Sequence, residues 1–285
     1  LGFVFLGISP TVKSFAWAYA LGTGIGMAVT FYALREHLKR IFLDFKYKLI
    51  KSILSSAWPF AISGALSVLM INTDIILIGL LQPAQEIGFY SAADRIIQTF
   101  YILPSILAAS ILPTFSRLAQ KDDQRFKLIM EKIISITLAI AMPIAIGGLI
   151  LGNEIMTEIF GSSYRGGGPA LKVLALTLAI NFPTVILSNV IFAYDKQKKL
   201  IINAAIGGVS NVLLDLLLIP IWGIVGSAIA TLTATAISNF YLWHSVKKIN
   251  DFRILSKLKN ILFASGVMGA FTLVTWALGL NVFVI

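Results

Sequence analysis

Residues 71–95 read INTDIILIGLLQPAQEIGFYSAADR. An apolar helical run ends at Leu81, a short turn follows around Pro83 to Glu86, and a second helical run begins. Asp74 lies inside the first run, and Asp94 and Arg95 lie inside the second. Runs of this kind continue on both sides of the hairpin. Charges inside lipid-length segments are costly and tend to mark a function. The hairpin is therefore both the unit of the fold and the first place to look for a site.

Composition supports the same class. The chain has 285 residues, of which 58% are hydrophobic and 13% charged, with a mean hydropathy of +0.88. So few polar groups cannot cover the surface of a soluble domain. The expectation is an all-α, polytopic transmembrane helix bundle. There is no Cys, hence no disulfide framework, thiolate metal site or Cys nucleophile. His37 and His244 are the two histidines and no HExxH is present, so no metal or cofactor is expected. Catalytic constellations are missing too: no Ser-His-Asp grouping, no inward-facing carboxylate pair with clear spacing and no phosphate loop, so the chain does not read as an enzyme. The segment at 152–168 is the longest outer connection and is too short for a catalytic domain.

Spans of about 20 residues fit a bilayer. They fall at 1–8 (the tail of one), 15–34, 57–81, 87–115, 133–152, 169–193, 200–219, 223–246 and 260–280. Residues 35–56, REHLKRIFLDFKYKLIK within them, place Ile41, Phe42, Phe45, Leu49, Ile50 and Ile53 between lysines. This pattern reads as an amphipathic helix on anionic headgroups. The resulting layout has four parts: 1–34, the linker 35–56, a six-helix unit at 57–246, and a further helix in 247–285. The final NVFVI reads as a helix that has just begun, so the chain is expected to be a portion of a longer protein.

Charge tests this layout. The connections 35–56, 116–132, 194–200 and 247–259 carry 19 of the 23 basic residues, and they all fall on one side. The other side has Lys13 and Arg165 in its loops. That asymmetry is the positive-inside pattern, so the basic side is expected to face the cytoplasm. It also accounts for the net charge of +10 without nucleic acid as a partner. The span at 87–115 exceeds the bilayer and should tilt or project. Pro104, Pro143 and Pro183 favour kinks. Small residues in GTGIG, Gly147-Gly148, Gly207-Gly208 and Gly223 to Ala230 suit close helix packing.

Asp74 lies seven residues before Leu81, and Arg95 seven after Gly88. Both then sit roughly 10 Å below the outer surface, at matched depth. Three roles remain open for them: a neutralising Asp74–Arg95 bridge, Arg95 as a cation for an anionic substrate, and Asp74 as a protonatable or sodium-binding coupling site. An outer-half bond that forms or breaks with gating is the favoured expectation. Asp94, about 100° round from Arg95, is expected at the interface with solvent. Asp215, four residues from the end of its span, is expected to reach water. Asn72, Asn181, Asn189, Asn203 and Asn211 should bond between helices. Asn181 and Asn189 are also candidates for sugar hydroxyls.

The stretches SSAWPFAISGALSVLMINTDIILIGLL, IGFYSAADRI and ILPTFSRL resemble the polysaccharide flippases of the Wzx type. These belong to the multidrug/oligosaccharidyl-lipid/polysaccharide exporter superfamily. IFGSSYRGGGPALKVLA and NVLLDLLLIPIWGIVGSAIATLTATAISN are similar as well, and the resemblance covers roughly residues 38–246. It implies two six-helix lobes, with 1–34 ending the first and 57–246 forming the second. It further implies flipping of a polyprenyl-diphosphate-linked oligosaccharide to the outer leaflet of the cytoplasmic membrane, by alternating access. The implied partners are that substrate, membrane lipids and polysaccharide-assembly proteins. A cation-coupled multidrug exporter and a peptidoglycan-precursor flippase are the rivals within the superfamily.

Overall fold

The computed structural model describes residues 12–43, 72–119 and 121–278. The expected span 1–8, most of the linker (44–56), the first part of the span 57–81 and the last residues of the span 260–280 lie outside them. The chain divides into two compact units, Leu1–Ser67 and Val68–Ile285.

In the first unit, α1 is Val12–Leu43. It runs through position 35 without a break, so the span and the start of the basic linker are one helix. The Arg35 guanidinium caps the Tyr32 ring at 4.6 Å. At Gly24 and Gly26 a Cβ would meet nothing within 4 Å. The close packing expected of GTGIG is thus not made by the described residues.

The second unit begins with the hairpin. Helix α2 is Thr73–Leu81, Gln82 and Pro83 turn the chain, and α3 is Ala84–Phe100. Next is α4, Ile102–Leu118. The expected single span at 87–115 is therefore two helices broken at Tyr101. Pro104 is the physical cause: it has no N–H, and its ring crowds the carbonyl four residues earlier, at Phe100. The amide of Tyr101 turns back to the Gln98 carbonyl at 3.1 Å, a tighter loop than an α-helix makes.

Helix α5, Asp123–Phe160, has 38 residues, about 57 Å. It overshoots the bilayer at both ends, through Arg125, Lys127 and Lys132 on one side and Glu154 and Glu158 on the other. A 3₁₀ turn, Ser162–Gly167, leads into α6, Gly168–Ala193. Pro143 and Pro183 lie within α5 and α6, which stay helical throughout. Helix α8, Leu255–Ala277, ends the described chain.

Between α6 and α8 lies Lys198–Lys247, helical on both sides of Gly223, whose φ of 56° breaks it. We call it α7. It doubles back at that glycine. Lys199 Nζ reaches the Ser245 carbonyl (3.3 Å), Asn203 the Ser238 carbonyl (2.5 Å) and Asn211 the Thr231 hydroxyl (3.4 Å). Those pairings are the register of an antiparallel helical hairpin, as the two spans 200–219 and 223–246 require. A positive φ strains any residue with a side chain, which explains a glycine at 223. At Gly226 a Cβ would overlap the Leu218 carbonyl oxygen, so the two limbs meet backbone to backbone just past the turn.

The connections sort to two ends. Gln82 Nε2 donates to the Ile219 carbonyl at 3.0 Å, joining the α2–α3 turn to the α7 turn. Phe89 packs edge-on against Tyr164 of the 3₁₀ turn. At the opposite end, Tyr194 donates to Asp123 (2.8 Å), Asn250 to the Asp123 carbonyl (3.4 Å), and the Arg253 amide to Glu131 (2.7 Å). This second end gathers the connections after α4, α6 and α7, which are the basic ones. A core around Tyr90, Leu174, Leu178 and Phe182 fills one half of the unit; Phe115, Phe126, Met130 and Ile186 fill the other.

Candidate functional site

The opening hairpin meets the α7 hairpin around Asp74. Asp74 projects from the first turn of α2. Its Oδ2 accepts from the Tyr90 hydroxyl of α3 at 2.6 Å and from the Thr231 hydroxyl of α7 at 2.7 Å. Tyr90 and Thr231 are themselves 3.3 Å apart, and Asn211 donates to Thr231. Tyr90 is only 2% exposed. Four helical segments therefore converge on one carboxylate.

A second carboxylate joins it. Asp215 lies against Asp74 and Ser227. It is fully buried, and among the described residues neither of its oxygens has a hydrogen-bond partner, nor does the Ser227 hydroxyl. The local sequence explains the grouping. Asn211 and Asp215 are four apart on the first limb of α7, and Ser227 and Thr231 are four apart on the second, so each pair shares a helix face. Folding at Gly223 brings the two faces together. Asp215 lies eight residues before that glycine, about 12 Å along the helix axis. It points into the bundle and does not reach water, which corrects the sequence expectation.

Two carboxylates in contact inside an apolar bundle repel each other and lack water to solvate them. They require a positive partner. No ion pair forms at this cluster among the described residues. What faces the pair is oxygen and amide: Tyr90, Thr231, Ser227 and Asn211. This donor set suits a proton or a small hard cation. No group of three or more acidic, His or Cys residues of the kind that holds a transition metal occurs among the described residues.

Arg95 is elsewhere. No bond joins it to Asp74, and its side chain is exposed. Rotation about the helix separates them. Arg95 follows Tyr90 by five residues, about 140° round α3. With Tyr90 turned onto Asp74, Arg95 must point away. Asp94, only about 40° from Tyr90, falls on the near side. It is half-buried, accepts from Gln98, and feels the charge of both Asp74 and Arg95.

The asparagines do bond between segments. Asn181 donates to the Tyr101 hydroxyl at 2.6 Å and accepts from Asn239 at 3.4 Å. Asn181 thus anchors the α3–α4 break to α6 and α7. Asn189 donates to the Ala108 carbonyl at 2.6 Å. That carbonyl is next to Ala109, which loses its helical donor to Pro113. Both asparagines are occupied within the bundle. The sequence reading missed Tyr90, Asp215, Ser227 and Thr231. The paired four-residue spacings on either side of Gly223 carried the signal.

Comparison with known proteins agrees with this architecture. The family model described as lipid II flippase MurJ matches residues 1–284. A probable flippase, AglR, of Haloferax volcanii is 26% identical over 180 residues, 61% of this chain and 37% of that protein. A putative O-antigen transporter of Shigella flexneri is 24% identical over 228 residues, 80% of this chain and 54% of the relative. Among solved structures, "Lipid II flippase MurJ, inward closed conformation" superposes with a TM-score of 0.75 at 23% identity. It covers 95% of this chain and 57% of that one. The chain spans about half the length of the relatives it matches.

Proposed function

Because the chain belongs to the lipid II flippase MurJ family, we propose that it forms part of a transporter for lipid-linked oligosaccharides. The complete protein flips a polyprenyl-diphosphate-linked saccharide from the cytoplasmic to the outer leaflet of the cytoplasmic membrane. Residues 57–246 supply one lobe, and rocking against the other gives alternating access. The basic end faces the cytoplasm. The role is transport, not catalysis.

The observation that carries this reading is the buried Asp74–Asp215 pair, in a chain of that family, where two helical hairpins meet. Transport against a gradient needs an ion whose binding differs between conformations. Carboxylates shared between the α2–α3 and α7 hairpins bind a proton or monovalent cation only while those hairpins stay together. Occupancy then favours one arrangement of the lobe. Arg95, exposed and without an ion pair among the described residues, is free to meet a diphosphate, for which a guanidinium is well shaped. Its pairing with Asp74 belongs to another state of the cycle.

The nature of the saccharide has two readings. The family model favours a peptidoglycan precursor, and the named relatives favour a cell-surface glycan. Both place a diphosphate next to the sugar. Complementation separates them: the complete gene restores either cell-wall synthesis or surface polysaccharide in the matching depleted strain. In that strain Arg95→Ala should abolish rescue at normal protein level. Full rescue would remove Arg95 from the substrate path. A drug exporter would instead raise drug resistance and rescue neither strain.

A further inference from the structure

A cleft of about 450 Å³ opens in the half of the bundle nearer the basic end. Leu138, Ile180, Pro183, Leu187, Trp243 and Leu258 form most of its wall, with Thr184 and Asn239 on one side. It arises because α8 packs chiefly along α5. The start of α8 therefore stands away from α6 and the second limb of α7, and the space between is left unfilled. The volume lies within the range of pockets that hold small ligands, roughly 300–1,000 Å³. Its lining is almost wholly apolar, which suits a hydrocarbon chain.

The cleft also has a charged edge. Trp243 and Ile254 line it, and the connection between them carries Lys247, Lys248 and Arg253, all exposed. Lys247 is one helical turn beyond Trp243, on the same face. Arg253 is next to Ile254, and its backbone is fixed by the bond from its amide to Glu131. Glu131 is thereby engaged by backbone, and Asp251 is the one acidic residue in the connection. A hydrocarbon slot with a fixed cationic rim at the interface matches one ligand class.

We propose that this cleft binds an anionic phospholipid from the leaflet at the basic end. One acyl chain lies along Pro183, Leu187 and Trp243, and the phosphate meets Lys247, Lys248 and Arg253. The site is separate from the Asp74 cluster and from Arg95. Its lipid bridges α8 to α6 and α7, which otherwise make little contact, so an anionic membrane stabilises the position of α8.

The test is competition followed by native mass spectrometry of the complete protein in mixed micelles. Phosphatidylglycerol, phosphatidylethanolamine and undecaprenyl phosphate are added in equal amounts. The expected result is one phosphatidylglycerol retained per chain. Ala236→Trp, at an exposed position lining the cleft, should abolish retention while the protein stays folded by circular dichroism. Lys247→Gln, Lys248→Gln and Arg253→Gln should each lower the preference for phosphatidylglycerol by about fivefold. Arg165→Gln, an exposed cation in the 3₁₀ turn at the opposite end, should leave it unchanged. Retention unaffected by Ala236→Trp would overturn the proposal, as would an equal effect of Arg165→Gln. Preferential retention of undecaprenyl phosphate would also overturn it, assigning the cleft to the carrier lipid.

Discussion

Asp215→Asn is the most informative single change at the acid pair. The wild-type carboxylate is fully buried, lies against Asp74, and among the described residues has no hydrogen bond to either oxygen. An unsatisfied buried polar group costs about 1–3 kcal/mol, and more when charged. Asparagine has nearly the same shape, carries no charge, and can donate its amide to the Asp74 carboxylate. In buffer whose only cation is bulky and organic, the variant should be more stable than wild type by about 1–3 kcal/mol. That corresponds to several degrees in Tm for a chain of this size. Adding sodium, potassium or lithium at constant ionic strength should then separate the two proteins. A cation that binds the wild-type pair at a hundred times its Kd adds about 2.7 kcal/mol; the variant should gain far less. The assay is a thermal-unfolding series of the complete protein in detergent, across cation concentration, for both forms. A variant less stable than wild type in the cation-free buffer would refute the argument from unsatisfied charge. An unchanged cation response in the variant would refute the assignment of the pair as the ion site.

Other expectations follow from the same geometry. Tyr90→Phe removes one of the two hydroxyls on Asp74 and should weaken the cation response by about tenfold while costing about 1 kcal/mol of stability, read in the same thermal series. Gly226→Ala places a methyl on the Leu218 carbonyl and should destabilise by about 1–3 kcal/mol or more, seen as a lower Tm and reduced membrane yield; a neutral effect would mean that the α7 limbs are not in backbone contact. Cysteines at 74 and 95 should crosslink only in conformations other than this one, so equal yield under all transport conditions would dismiss the gating pair. Asn181→Ala frees the Tyr101 hydroxyl and should speed hydrogen exchange around the α3–α4 break, with little change elsewhere in the bundle.

Much of the fold was legible because bilayer thickness imposes a length and the basic residues impose a side. The helical hairpins, the turns near Pro83 and Gly223, and the separation of basic from non-basic connections all follow from counting along the chain. The break at Tyr101 was hidden within one long apolar run, although Pro104 marks the place where the helical bond is lost. The site divides in the same way. Residue counts place Asp74 along the axis of its helix, since rise is fixed at 1.5 Å per residue. They did not say which side of α3 faces α2, because rotation is set by packing of side chains between helices. That rotation gave Tyr90, and not Arg95, to Asp74. It also carried Asp215 from an expected wet helix end into a dry interface, because folding at Gly223 turns the Asn211–Asp215 face onto Ser227 and Thr231. The sequence by itself thus determined a membrane bundle, its hairpins and the position of each charge along its helix. Only the tertiary structure decided which charges share a site: sequence distance measures position along an axis, and contact between helices depends on azimuth.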